Sequence, residues 1–158
     1  MTTTPTEDPS QQAASDAVTL LRDEAEIRNV IARIAHASDD GDLERDYLPL
    51  FTDDARWSVV ETDIDYRGKA EILAAARERR QTGRQGPGTG LLHLNTSLWV
   101  AVDGGDEAHA ESYFVVSKAA TSLVEPGTVA GTGRYRDTFR RTPEGWKLAS
   151  RSVLLRPT

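Results

Sequence analysis

At 158 residues the chain is long enough for one continuous hydrophobic core and short for two. Its 38% hydrophobic and 28% charged residues belong to a folded, well-solvated domain, and its net charge of −6 opposes general nucleic-acid binding, which needs a basic surface. Zero cysteines remove disulfides, thiolate metal sites and cysteine nucleophiles. No run approaches the roughly 18 apolar residues that cross a bilayer, so no membrane partner is expected. The opening Met1-Thr2-Thr3-Thr4-Pro5-Thr6-Glu7-Asp8 lacks the basic and apolar regions of a signal peptide, so a cytoplasmic location is expected.

Residues 1–16 are Thr, Pro, Ser, Gln and acidic residues with almost nothing to bury, and read as a disordered tail before a domain over 17–158. A first helix runs from Ala17 to Ser38 with Asp16 as N-cap and Leu20, Ile27, Val30, Ile31 and Ile34 on one stripe. Asp39-Asp40-Gly41-Asp42 ends it; Asp42 caps a short second helix, Leu43 to Leu48, closed by Pro49. Phe51 lands on the core and Thr52-Asp53-Asp54 turns the chain into a strand, Ala55 to Thr62, with a short partner, Ile64 to Arg67. Alanine-rich Lys69 to Gln81 is a third helix, whose Arg77-Glu78-Arg79-Arg80 stretch reads as a solvated face.

Gly83-Arg84-Gln85-Gly86-Pro87-Gly88-Thr89-Gly90 forms a loop without the Lys-Ser/Thr of a phosphate-binding loop. Leu91 to Val102 then pairs with Glu107 to Ala119 through Asp103-Gly104-Gly105-Asp106, and Thr128 to Arg141 with Trp146 to Leu155 through Thr142-Pro143-Glu144-Gly145. Pro126-Gly127 breaks the link between the hairpins. Helices come mainly first and strands last, which is an α+β order.

Several strings in this order resemble the SnoaL-like family of the NTF2-like superfamily. They are Asp39-Asp40-Gly41-Asp42, Leu50-Phe51-Thr52-Asp53-Asp54-Ala55-Arg56-Trp57, Tyr66-Arg67-Gly68, Val102-Asp103-Gly104-Gly105-Asp106, Gly133-Arg134-Tyr135-Arg136-Asp137, and Gly145-Trp146-Lys147 leading to Arg151. The resemblance covers about residues 20–155 and implies a cone of three helices wrapped by a strongly curved, mostly antiparallel sheet. The family is similar in fold to polyketide cyclases, scytalone dehydratase, bile-acid dehydratases and hexachlorocyclohexane dehydrochlorinase, so function must be argued from the site.

In the dehydratase and dehydrochlorinase members an aspartate at the end of the first helix holds a histidine from the first long strand. The matching positions are Asp39 and His93, with Asp40 a competitor for the acidic role. An imidazole titrates near neutral pH, and a carboxylate on one ring nitrogen fixes the tautomer while the other exchanges protons. His93 alternates with Asn95, Ser97 and Trp99 on one strand face, either a pocket wall or a solvent face, with Leu92, Leu94, Leu98 and Val100 opposite. Arg151 matches an arginine that steadies a departing group, or is a surface residue. Tyr135 shares a face with Asp137, Gly131 and Gly133, and is a hydrogen-bond donor to a carbonyl or a core residue; Trp57 stands where another pocket tyrosine of the family lies.

His36 falls opposite the apolar stripe, and His109 does not clearly match a family position. Neither completes a metal-ligand pattern, so no metal and no cofactor is expected. The sequence therefore points to a lyase or isomerase of dehydratase, dehydrohalogenase or cyclase type. It would act on a small apolar cyclic substrate such as a polyketide, steroid or terpenoid through His93, Asp39 and Arg151, with Tyr135, Trp57, Asn95 and Trp99 holding the ligand. The alternatives are a non-catalytic binding protein of the same fold, or the small subunit of a ring-hydroxylating dioxygenase. The resemblance also implies a homodimer or homotrimer, formed through Leu94, Leu98, Val100 and Val102 if that sheet face is outward.

Overall fold

A computed structural model describes residues 8–120 and 126–155. The first helix, α1, spans Pro9–Asp39, eight residues earlier than Ala17, and its N-cap is Asp8 rather than Asp16. Asp8 accepts from the Ser10 N–H at 3.0 Å, and Pro9 at the first helical position loses nothing by lacking an N–H. Gln- and Ala-rich sequence, helped by a Gln12–Asp16 side-chain bond, then propagates the helix without any buried face. Residues 9–16 are thus helical, not an unstructured tail, and residues 1–7 of that expectation lie outside the described residues. Leu20 is exposed with Val18 and Leu21; burial begins at Asp23 and continues through Ile27, Val30, Ile31, Ile34 and Ala37.

The expected second helix is two dissimilar turns, a wide one at Leu43–Tyr47 and a tight one at Leu48–Leu50, capped by the Asp42 carboxylate on the Glu44 and Arg45 N–H groups. Strand β1 is Phe51–Val59, β2 is Asp65–Arg67, and helix α2 is Gly68–Gln81. Thr52-Asp53-Asp54 does not turn the chain but sits in β1 at an irregularity between Phe51 and Arg56. Strands β3 (Leu91–Val102), β4 (Glu107–Lys118), β5 (Thr128–Thr142) and β6 (Gly145–Leu154) complete a six-stranded sheet in the order β2-β1-β6-β5-β4-β3. Only β1 and β6 run parallel.

The concave face packs on α1 through Ala108, Ala110, Phe139, Trp146 and Leu148. At the same end Asp23, 4% exposed, takes both ends of the Arg141 guanidinium at 2.8 and 2.6 Å and the Trp146 indole N–H at 3.0 Å.

One irregularity in β3 redirects half its side chains. The β3–β4 register shifts between Thr96 and Trp99, and Ser97 adopts φ 49°. Thr96 and Ser97 are both exposed, after which the alternation is inverted. Leu98, Val100 and Val102 therefore pack on the core, whereas Trp99 is 49% exposed on the convex face beside Leu92 and Leu94. Two expectations fail for this one reason: Trp99 is not a pocket residue, and Leu98, Val100 and Val102 are not an outer patch. The Leu98 carbonyl accepts instead from Arg28 of α1 at 3.2 Å. Among the described residues no helix is long and apolar enough to cross a membrane.

Candidate active site

The last turn of α1 approaches β3 where β3 still keeps its regular alternation. Asp39 Oδ2 accepts from the His93 backbone N–H at 2.8 Å, and Asp39 Oδ1 lies 2.5 Å from His93 Nδ1. Both carboxylate oxygens are thus spent on one residue, which fixes the ring as well as its strand. The two side chains are 18% and 11% exposed, so bulk ions screen them little. With the carboxylate accepting, Nδ1 holds a proton, and in the neutral ring Nε2 presents its lone pair. Nε2 has no hydrogen-bond partner among the described residues. Asp40, the competitor, is exposed at the helix C-cap.

His93 and Asn95 form one wall of a cavity of about 240 Å³. Trp57 of β1, Phe114 of β4, Tyr135 of β5 and Arg151 of β6 reach it from the rest of the sheet, and Tyr47 closes it from the wide turn. Asn95 Oδ1 is fully buried and has no hydrogen-bond partner among the described residues, an unmet polar group that a ligand donor would satisfy.

Arg151 is buried, and it is not a free cation. Its Nε and Nη2 donate to the two oxygens of Asp137 at 2.8 and 2.6 Å, directly across the β5–β6 ladder. Burial alone would lower its pKa, but the Asp137 charge and hydrogen bonds hold it above the ordinary arginine value. The guanidinium carbon lies 4.0 Å from the centre of the Tyr135 ring, whose other neighbour is Phe114 at 4.4 Å, nearly parallel. Burial pushes the Tyr135 hydroxyl up to about 12, and it also raises Tyr47. Both phenols therefore remain protonated donors at neutral pH. Gly133 makes room for this stack, since a Cβ there would lie 2.5 Å from the Phe114 ring; a Cβ at Gly131 would meet nothing.

Trp57 is packed between Tyr66, 5.7 Å away and stacked, and the Arg79 guanidinium at 5.5 Å. Nothing in the sequence marks Tyr47, Arg79 or Asp137 as site residues. Arg79 was hidden in a run of charges, and Tyr47 sits in a turn with no periodicity to read. His109 and His36 are exposed and line other grooves, away from the dyad.

Two helices cradled in a curled sheet, with a polar dyad at the helix end and an aromatic cavity behind it, define an NTF2-like α+β cone. A family model described as "SnoaL-like domain" matches residues 19–152, and the chain belongs to that family. Among solved structures it is similar to an NTF2-like protein with a cystatin-like fold from Novosphingobium aromaticivorans, at 28% identity, 96% and 92% coverage of the two chains, and TM-score 0.75. It is also similar to a cystatin-like protein from Nostoc punctiforme, at 25% identity, 86% and 92% coverage, and TM-score 0.68. A candidate dehydratase of the NTF2-like family from Streptomyces avermitilis shares the fold at 20% identity, 87% and 98% coverage, and TM-score 0.66. None of the curated proteins matches the chain.

Proposed function

We propose that the protein is a lyase or isomerase that needs only its own side chains, with His93 as general acid/base and Asp39 as its orienting partner. The observation behind this reading is that Asp39 engages one ring nitrogen of His93 and leaves the other unpartnered at the wall of an aromatic cavity. In the forward step Nε2 takes a proton from a carbon next to a carbonyl. The Tyr47 and Tyr135 hydroxyls are the donors available to the carbonyl oxygen as it gains charge, and Asp39 stabilises the imidazolium. The same proton, returned to a leaving hydroxyl or to another carbon, gives dehydration or isomerisation respectively. Arg151, neutralised by Asp137, acts as a positioning residue that holds the Tyr135 ring.

Cavity size narrows the substrate. Some 240 Å³ lies below the roughly 300–1,000 Å³ of sites for drug-sized ligands. One or two fused rings, as in a small polyketide or terpenoid, fit better than a four-ring steroid.

The test uses 2-tetralone, a two-ring ketone with acidic α-protons, in D₂O followed by NMR. The wild-type protein accelerates exchange of those protons, and His93→Ala and Asp39→Asn each lose about 10²–10⁴ of the acceleration. Exchange retained in both variants sinks the dyad and leaves a binding protein of the same fold.

A further inference from the structure

Among the described residues, Arg79 is the cation in the cavity wall that no carboxylate neutralises. It lies in the last turn of α2 and is partly buried, unlike its neighbours Arg77 and Glu78, which point to solvent. Its Nε donates to Gln85 Oε1 at 2.7 Å, and its guanidinium carbon lies 5.5 Å from the centre of the Trp57 ring. A neutral amide and an aromatic face thus hold the group in a fixed plane, and no acidic residue pairs with it among the described residues. Its Nη atoms make no hydrogen bond there either. Of the other arginines at the cavity, Arg151 is spent on Asp137 in a buried pair, and Arg84 is turned to solvent in an exposed pair with Glu78.

The charges are also arranged along the cavity. Arg79 sits over β1 and His93 is on β3, at opposite ends of the five-strand run β1-β6-β5-β4-β3. Between them stand Phe114, Val116 and Val153. Arg79 attracts an anion to its side of the cavity, and its positive charge also acts on the Tyr47 and Tyr135 hydroxyls. A planar guanidinium whose Nη1/Nη2 edge is free matches a carboxylate in two-point geometry.

We infer that the natural ligand is a one- or two-ring acid whose carboxylate is held by Arg79, placing the reacting carbon at His93. The inference rests on the function proposed above for its second half only; the carboxylate site can be tested by binding alone.

The probes are 2-naphthoate and 2-naphthamide, equal in shape and different in charge, titrated by tryptophan fluorescence and calorimetry. The wild-type protein binds the acid at least about tenfold more tightly than the amide, as one charge-assisted bidentate pair requires. Arg79→Met reduces that ratio to below about threefold, the larger loss falling on the acid, while Arg79→Lys keeps part of it. Arg77→Met, which removes the same charge from the exposed side of the same helix, leaves the ratio intact, and so does His93→Ala. Failure of the wild-type protein to bind the acid, equal binding of the two probes, or a ratio that survives Arg79→Met overturns the inference. A ratio abolished by His93→Ala also overturns it, because the anion then sits on the dyad. If the ratio behaves as stated while His93→Ala still exchanges 2-tetralone, the carboxylate site stands and the acid/base reading falls.

Discussion

Replacing Asp39 by Asn tests the dyad at the level of a single proton. The carboxylate supplies two acceptors, one to the His93 N–H at 2.8 Å and one to Nδ1 at 2.5 Å. An amide supplies one acceptor and one NH₂ group. If the Asn oxygen keeps the backbone N–H, its NH₂ faces Nδ1, and the ring must carry its proton on Nε2. If the oxygen keeps an Nδ1–H instead, the NH₂ meets the backbone N–H, and a buried donor loses its partner at a cost of about 1–3 kcal/mol. The first arrangement therefore wins by about five-fold to more than a hundred-fold in population. Nε2 then points a hydrogen into the cavity and cannot accept one. Two-bond ¹H–¹⁵N correlation spectra read the tautomer directly. The wild-type protein shows the Nδ1–H form at His93, and Asp39→Asn shows the Nε2–H form. His36 and His109, both exposed, report ordinary averaged tautomers in the same spectra. An Nδ1–H ring that persists in Asp39→Asn, or an Nε2–H ring already in the wild type, refutes the reasoning whatever the substrate.

The two glycines of β5 make a matched pair. Gly133→Ala places a methyl 2.5 Å from both the Leu154 carbonyl and the Phe114 ring, costing about 1–3 kcal/mol and disturbing ligand binding, whereas Gly131→Ala is near neutral. Equal thermal shifts for the two would contradict the packing seen here. Asp23 is held below its ordinary 3.8 by the Arg141 hydrogen bonds, and the Trp146 indole adds to this. A depressed carboxyl adds stability that is full above 3.8 and is lost as pH falls through its folded value. Asp23→Asn is thus less stable by about 1–3 kcal/mol at pH 7, and its gap to wild type closes below pH 3.8; a gap independent of pH in urea unfolding counts against the ion pair. Self-association, expected from the family, would use the convex apolar patch of Leu92, Leu94 and Trp99, so Leu94→Glu with Trp99→Glu yields monomers by sedimentation velocity without weakening 2-naphthoate binding. An unchanged sedimentation coefficient places any interface elsewhere.

How far each element was legible follows from how local its cause is. The α1 stripe from Ile27 to Ile34, α2 and the four long strands follow from periodicity and turn residues, and the structure places them within a few residues. The start of α1 is hidden because helix propensity and the Asp8 cap with Pro9 behind it, not burial, extend it back beyond Ala17. Alternation along β3 is sound from His93 to Asn95 and misleads at Trp99, because one extra residue at Ser97 inverts every later side chain. Nothing in Thr96-Ser97 announces a bulge; it becomes intelligible only when Arg28 of α1 is seen bonded to the Leu98 carbonyl. The resemblance alone points to Arg151, and that its charge is consumed by Asp137 depends on the β5–β6 register, which a single sequence does not encode locally.

The charge run of α2 shows what such reading leaves out. Arg77, Glu78, Arg79 and Arg80 look like one solvated face, yet a helix turns about 100° per residue, so four consecutive side chains leave in four directions. Arg77 and Glu78 face solvent, Arg79 faces the cavity, and Arg80 turns to α1. There its Nη2 donates to the Ala37 carbonyl at 3.0 Å and the Gly41 carbonyl at 2.7 Å, on either side of Asp39. These carbonyls lie at the frayed end of a helix, where acceptors lack partners and a cation is favoured. Gly41 allows the turn to close, since a Cβ there would lie 2.7 Å from the Ala37 Cα. The acid of the dyad is therefore fixed from two sides, by His93 of β3 and by Arg80 of α2. Adjacent residues of one short helix thus serve both ends of the site, Arg79 at the ligand and Arg80 behind the dyad.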